Sequence, residues 1–156
     1  MPLTRTVAKI SARALRTRGL VRAPIALYRS GLGFLFGTRM LMLQHTGRRS
    51  GAERFVVLEV VDRPAPDQIV IVSGFGTRAQ WYRNIEADPR VRVWIGARRR
   101  IPATATPMST EESATALGHY IDHHPVAWKR LRATIEQATG RPVDTLPMVR
   151  LRLSPS

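Results

Sequence analysis

The sequence has no cysteine at all. That absence excludes disulfides, thiolate catalysis and cysteine metal sites together, and points away from a small secreted fold held by bridges. Long apolar runs are also missing. None approaches the ~18 residues that would be read as a membrane-spanning helix, and the start of the chain lacks the apolar core and small-residue cleavage site of a signal peptide. The expected compartment is cytoplasmic. Acidic residues are scarce, 11 against 25 basic ones, and residues 1–52 contain none. Lysine is scarcer still, since Lys9 and Lys129 are the only two. Neither a Ser-His-Asp order nor an HExxH signature supports a hydrolase. Internal repeats and low-complexity segments are lacking too.

What remains is an ordinary globular composition with an unusual charge. The 156 residues suffice for one domain with a true core, and 44% hydrophobic with 23% charged residues suits a folded chain. The net charge of +14 must sit on the surface, where it concentrates anions: nucleic acid, an anionic membrane face or a polyanionic small molecule. The aromatics, at 6%, are too few and too little interleaved with basic residues to form a nucleic-acid stacking platform. No specific nucleic acid is therefore expected.

Along the chain, Leu3, Val7, Ile10 and Ala14 recur at helical spacing, with Arg5, Lys9, Arg13 and Arg16 largely elsewhere around the wheel. This predicts a basic amphipathic helix ending near Gly19. Pro24 then suits the first turn of a second apolar segment, Ile25–Phe36. We assign residues 1–37 to a helical N-terminal segment and 38–156 to the main domain. From Met40 the period changes. Strands are predicted at Met40–His45, Arg54–Val61, Gln68–Ser73, Val91–Ile95, Arg99–Thr106 and Met148–Leu153, with a turn at Arg63–Asp67. Short helices are predicted from Thr77 or Arg78 to Ala87, from the Ser109/Glu112 capping box to about His124, and over Val126–Thr139, closed by Gly140. About six strands in mostly antiparallel meander order, without βαβ alternation, describe an α+β barrel rather than a Rossmann fold.

Two segments carry chemistry. In Thr46-Gly47-Arg48-Arg49-Ser50-Gly51, followed by Arg54, two glycines let the backbone curl so that successive amides can face one ligand. Arg48, Arg49 and Arg54 add guanidinium forks, and Thr46 and Ser50 add hydroxyls, the groups that hold phosphate or carboxylate. The second segment is Ser73-Gly74-Phe75-Gly76 before Trp81-Tyr82-Arg83-Asn84-Ile85. Glycines at a strand end permit a planar ring to approach the backbone. Trp81, Asn84 and Ile85 share a helix face, so an indole and an amide could form a pocket wall or simply pack the core. His119 and His123 are i, i+4 neighbours, but no third ligand is evident, so no metal site is expected.

The TGRRSG turn before Arg54, with WYRNI and Asp88-Pro89 about thirty residues later, resembles the deazaflavin (F420)-dependent nitroreductase and quinone reductase family. The resemblance spans roughly residues 30–106 and the final strand. It implies a split β-barrel, coenzyme F420, and hydride transfer to a quinone, nitro compound or activated alkene. F420 is itself a polyanion, with a phosphodiester, a polyglutamate tail and an acidic ring hydroxyl. By the resemblance, Arg48, Arg49, Ser50 and Arg54 match the phosphate- and tail-binding turn, and Ser73, Gly74, Trp81 and Asn84 match positions lining the deazaflavin. Tyr120 and His123 fall where the family places substrate contacts and are the candidates for catalysis. The chain departs from the pattern at Arg49, where lysine is usual, and lacks the prolines usual before the tryptophan and after Arg54.

Rival readings keep the fold but change the class: a lipid or fatty-acid carrier, or a relative that binds FMN. The expected partner is a small lipophilic acceptor; the basic N-terminal helix would either pack its apolar stripe on the domain and leave its arginines solvated, or lie on an anionic membrane surface at the inner face of the cell membrane. The expected assembly is a monomer or weak dimer.

Overall fold

The computed structural model describes residues 18–29, 37–143 and 146–155, with side chains from Pro24 onward in the first of these. Six strands close into a barrel: β1 (Met40–Thr46), β2 (Glu53–Ala65), β3 (Gln68–Val72), β4 (Arg90–Ile95), β5 (Arg98–Pro107) and β6 (Met148–Leu153). Their order around it is β1-β2-β3-β6-β5-β4, with β4 returning to β1, and every pairing is antiparallel. Four α-helices accompany the described barrel: α1 (Arg18–Arg29), α2 (Gln80–Ala87), α3 (Thr110–His123) and α4 (Pro125–Thr139).

Alternation decides what each strand buries. In β5, Ile101, Ala103 and Ala105 face inward, while Pro102, Thr104 and Thr106 stay exposed. β3 has no such alternation. Its Ile69 and Ile71 fill the barrel, and its Val70 and Val72 lie under α3 and α4 with Tyr120 and Ile135. A strand covered on both faces reads as a continuous apolar run, which is why QIVIV is apolar throughout. On β1, Leu41 and Leu43 enter the barrel core, whereas Met42 faces outward against Tyr28 of α1 and Trp94 of β4. α2 contributes Trp81, Tyr82 and Ile85 to the barrel core. The Ser109–Glu112 capping box opens α3 with reciprocal bonds of 3.1 Å, and Gly140 ends α4 at φ +69°.

Two expectations need correction. β2 runs on to Ala65 instead of turning at Arg63, and only Pro66 and Asp67 make the turn. Its pairing with β3 shifts register between Val60 and Asp62 and again between Asp62 and Ala65. Such bulges free one strand from a regular ladder, so Pro64 can sit there although it has no N–H to donate. Secondly, α1 passes through Gly19 and holds Pro24 in its interior, so Pro24 does not open a new helix. The packing of Ile25 and Tyr28 against Met42, Trp94, Phe55 and Val57 outweighs the local signals of glycine and proline. The amphipathic helix expected over residues 3–17, and the segment 30–36, lie outside the described residues. Among the described residues no helix is long and apolar enough to cross a membrane.

Candidate functional site

The β1–β2 hairpin is closed by the turn Gly47–Ala52. Gly47 N donates to Ala52 O and Gly51 N to Gly47 O, both at 2.8 Å, and Gly51 takes φ +69°, where a Cβ would be strained. Ser50 Oγ accepts from Ala52 N at 3.2 Å. The backbone amides of Arg49 and Ser50 donate to no acceptor among the described residues, and both residues are exposed at the turn's tip. Arg48, Arg49 and Arg54 form no ion pair with a carboxylate among the described residues. Two open amides beside three unpaired guanidiniums favour an anion.

Behind the turn lies a buried polar chain. Asn84, 5% exposed, accepts on Oδ1 from Arg48 twice: from its backbone N at 3.2 Å and from Nη1 at 2.8 Å. Its Nδ2 lies 3.1 Å from Nδ1 of His45, which is also 5% exposed. Because Nδ2 can only donate, Nδ1 accepts and the ring proton resides on Nε2. Burial, then the Arg54 charge, pushes the imidazole down to about 4, so it is neutral at pH 7.

These groups border one cavity of about 980 Å³. The hairpin supplies His45, Gly47 to Ser50, and Glu53 to Val56; α2 and the segment before it supply Ala79, Gln80, Trp81 and Asn84. Phe75 and the α1 residues Ile25, Ala26 and Arg29 complete the wall. The lining therefore combines cationic groups with apolar and aromatic ones. Phe75 remains 54% exposed, and the Arg29 guanidinium lies 4.9 Å from the centre of the Phe55 ring. Among the described residues, Glu53 is the one carboxylate in the lining.

Arg48, Arg49, Ser50, Arg54, Trp81 and Asn84 thus come together around the cavity. Ser73 and Gly74 do not line it. Ser73 is fully buried and donates from Oγ to Gly76 O at 2.6 Å, and a Cβ on Gly74 would stand 3.3 Å from Ile135 of α4. Their contribution is to shape the turn that presents Phe75. Tyr120 and His123 are likewise absent from the lining. Tyr120, 2% exposed, donates from Oη to Glu59 Oε1 at 2.6 Å, and burial followed by Glu59 raises its pKa. His123 is exposed, its Nδ1 is 2.8 Å from His119 O, and its ring stands 3.9 Å from that of His119.

His45, Phe75, and the α1 pair Ile25 and Arg29 are among the lining residues that the sequence motifs did not assign to the site. His45 had a signal, a histidine continuing the inward register of Leu41 and Leu43. The α1 residues had none, because their place depends on how the helix docks.

The sequence profile of the F420H(2)-dependent quinone reductase family matches residues 20–146. The chain belongs to this family. It is 38% identical over 90 residues, 55% of this chain and 72% of the other, to a Mycobacterium tuberculosis protein named "Putative F420H(2)-dependent quinone reductase Rv3178". Among solved structures, an F420-H2 dependent reductase (FDR-A) superposes with TM-score 0.50 at 22% identity, over 73% of this chain and 94% of that one. The heme storage protein HutZ of Vibrio cholerae superposes with TM-score 0.53 at 12% identity, over 87% and 92%. At such identities the structures share the fold alone, and HutZ shows that the barrel does not dictate one activity. Membership of the family makes this protein an oxidoreductase of the F420-dependent type.

Proposed function

We propose that this reductase binds F420 in the 980 Å³ cavity and reduces a quinone. The observation that carries the reading is that one cavity joins an arginine-rich turn to apolar and aromatic side chains. A volume of this size lies at the upper end for small-molecule sites, generally about 300–1,000 Å³. Arg48, Arg49 and Arg54, with Ser50 and the open amides of the turn, would hold the phosphodiester and the glutamates. Trp81 and Phe75 would lie against the apolar part of the ligand. The group suits the residues present, because a polyanion meets three guanidiniums that form no ion pair with a carboxylate among the described residues.

When bound and reduced, F420 supplies two electrons and a proton together as hydride. A quinone that accepts hydride and one further proton becomes a hydroquinone, so the protein must orient two rings and restrict water. Tyr120 and His123 stand outside the lining and His45 is neutral and shared with Asn84; in this reading solvent supplies the further proton. Nitro compounds and activated alkenes accept the same hydride and are the alternative substrates. The basic N-terminal segment would hold the enzyme at an anionic membrane that carries quinone, and deleting residues 1–18 should then abolish vesicle binding at low salt.

The deciding experiment titrates the protein into oxidised F420 and follows the coenzyme's fluorescence. Saturable binding, lost in an Arg48→Ala, Arg54→Ala variant, is expected; turnover of the reduced coenzyme with menadione should follow. Absence of binding at micromolar protein, or equal binding by the double variant, would overturn the reading. FMN titrated in parallel distinguishes a flavin protein of the same fold.

A further inference from the structure

His45 borders the same cavity as the residues assigned to the anion, but its ring nitrogen is engaged with Asn84. Among the described residues it makes no hydrogen bond to the tip of the turn or to Arg48, yet both hydrogen bonds that fasten Arg48 depend on how the Asn84 amide is turned. An amide has two nearly isosteric orientations. In one, Oδ1 faces Arg48 and accepts from it; in the other, NH₂ faces a guanidinium and a backbone N–H, donor against donor. Asn84 is buried and cannot hide the wrong orientation in water. Whatever sits on its far side selects between the two.

We infer that His45 is a positioning residue for the anion-binding turn: its bare Nδ1 accepts from Asn84 Nδ2, which turns Oδ1 toward Arg48 and aims both the Arg48 amide and its guanidinium. The inference deepens the reading of the cavity as an F420 site and rests on it for the ligand. The relay itself is a property of the empty protein. The environment holds His45 in the required form. Asn84 on α2 and the cationic Arg54, paired with His45 across the β1–β2 ladder, both disfavour a second ring proton, and burial adds to them.

The geometry suggests two replacements. In His45→Asn, Oδ1 lies the same number of bonds from the backbone as Nδ1 of histidine, so an acceptor is kept without a ring. In His45→Leu, comparable apolar bulk is kept without an acceptor. Hydrogen exchange of the Arg48 amide in the ligand-free protein reads the relay, and affinity for oxidised F420 reads its consequence. His45→Leu should speed Arg48 exchange about tenfold and weaken F420 binding by a similar factor, the scale of one buried hydrogen bond. His45→Asn should restore both. Unchanged Arg48 exchange in His45→Leu, or an asparagine variant as impaired as the leucine one, would overturn the inference. Should the leucine variant not fold, the nitrogen NMR signals of the wild-type ring decide: a proton on Nε2 with bare Nδ1 supports the relay, and a proton on Nδ1 refutes it. If Arg48 exchange obeys His45 while the wild-type protein ignores F420, the relay stands and the coenzyme assignment falls.

Discussion

Gly47→Ala separates the fold of the hairpin from its capacity to hold an anion. Gly47 is buried, but its φ is not positive, so alanine meets no backbone strain there. A Cβ would stand 2.8 Å from Ser50 Oγ, with Ala52 O at 3.4 Å and Arg54 Nε at 3.6 Å. Only the first of these must move, and it is the end of an exposed serine that can rotate into water. Rotation sacrifices the 3.2 Å bond from Ala52 N, which costs about 0.5–1.5 kcal/mol. Replacing glycine at a tolerant position returns about 0.4–1 kcal/mol through the unfolded chain. The two nearly cancel, so denaturant unfolding should show a change below about 1 kcal/mol. Binding should respond differently. A hydrogen bond to a charged ligand is worth about 1.5–3 kcal/mol, so displacing the Ser50 hydroxyl should weaken F420 affinity by roughly ten- to a hundredfold. In a Ser50→Ala background the clash is gone. There Gly47→Ala should leave affinity unchanged and stabilise by about 0.4–1 kcal/mol. Equal loss of affinity in both backgrounds would refute the argument, as would a loss of several kcal/mol of stability in the single variant.

Two further outcomes follow from buried groups. His45 binds a proton near pH 6.5 when unfolded but only near 4 when folded, so the unfolded state takes up more protons between those values. Stability should therefore be fully present above pH 6.5 and decline as pH falls toward 4, by about 3 kcal/mol at most; unfolding of His45→Asn should lack this slope between pH 5 and 6.5, and an identical slope would refute the assignment. Tyr120→Phe removes the phenol that ties α3 to Glu59 of β2 and should cost about 1–3 kcal/mol in thermal unfolding, with F420 affinity unaltered. Loss of quinone turnover at unchanged stability would instead return Tyr120 to the chemistry.

Features that depend on local pattern are legible in the chain alone. Alternation in Arg99–Thr106, the apolar run Gln68–Val72, the capping box at Ser109 and the glycine-bounded turn at Thr46–Gly51 each appear in the structure close to where the pattern puts them. Strand periodicity and turn chemistry act within a few residues, so they can be read without knowing the fold. Boundaries that depend on partners were less legible. β2 continues past Arg63 because β3 pairs with it through bulges, and α1 carries Pro24 because Met42 and Trp94 lie beneath it.

How the candidate residues divide depends on contacts made in the folded barrel. Ser73 and Trp81 are eight positions apart and equally plausible as pocket residues, yet one spends its hydroxyl on Gly76 and the other borders the cavity. Asn84 meets Arg48 and His45 only because barrel closure brings α2 against the β1–β2 hairpin, 36 and 39 residues away along the chain. A local pattern names the groups that can bind an anion. Which of them face one space, and which are consumed in holding the others, depends on contacts between distant elements, and those exist only after the barrel has closed.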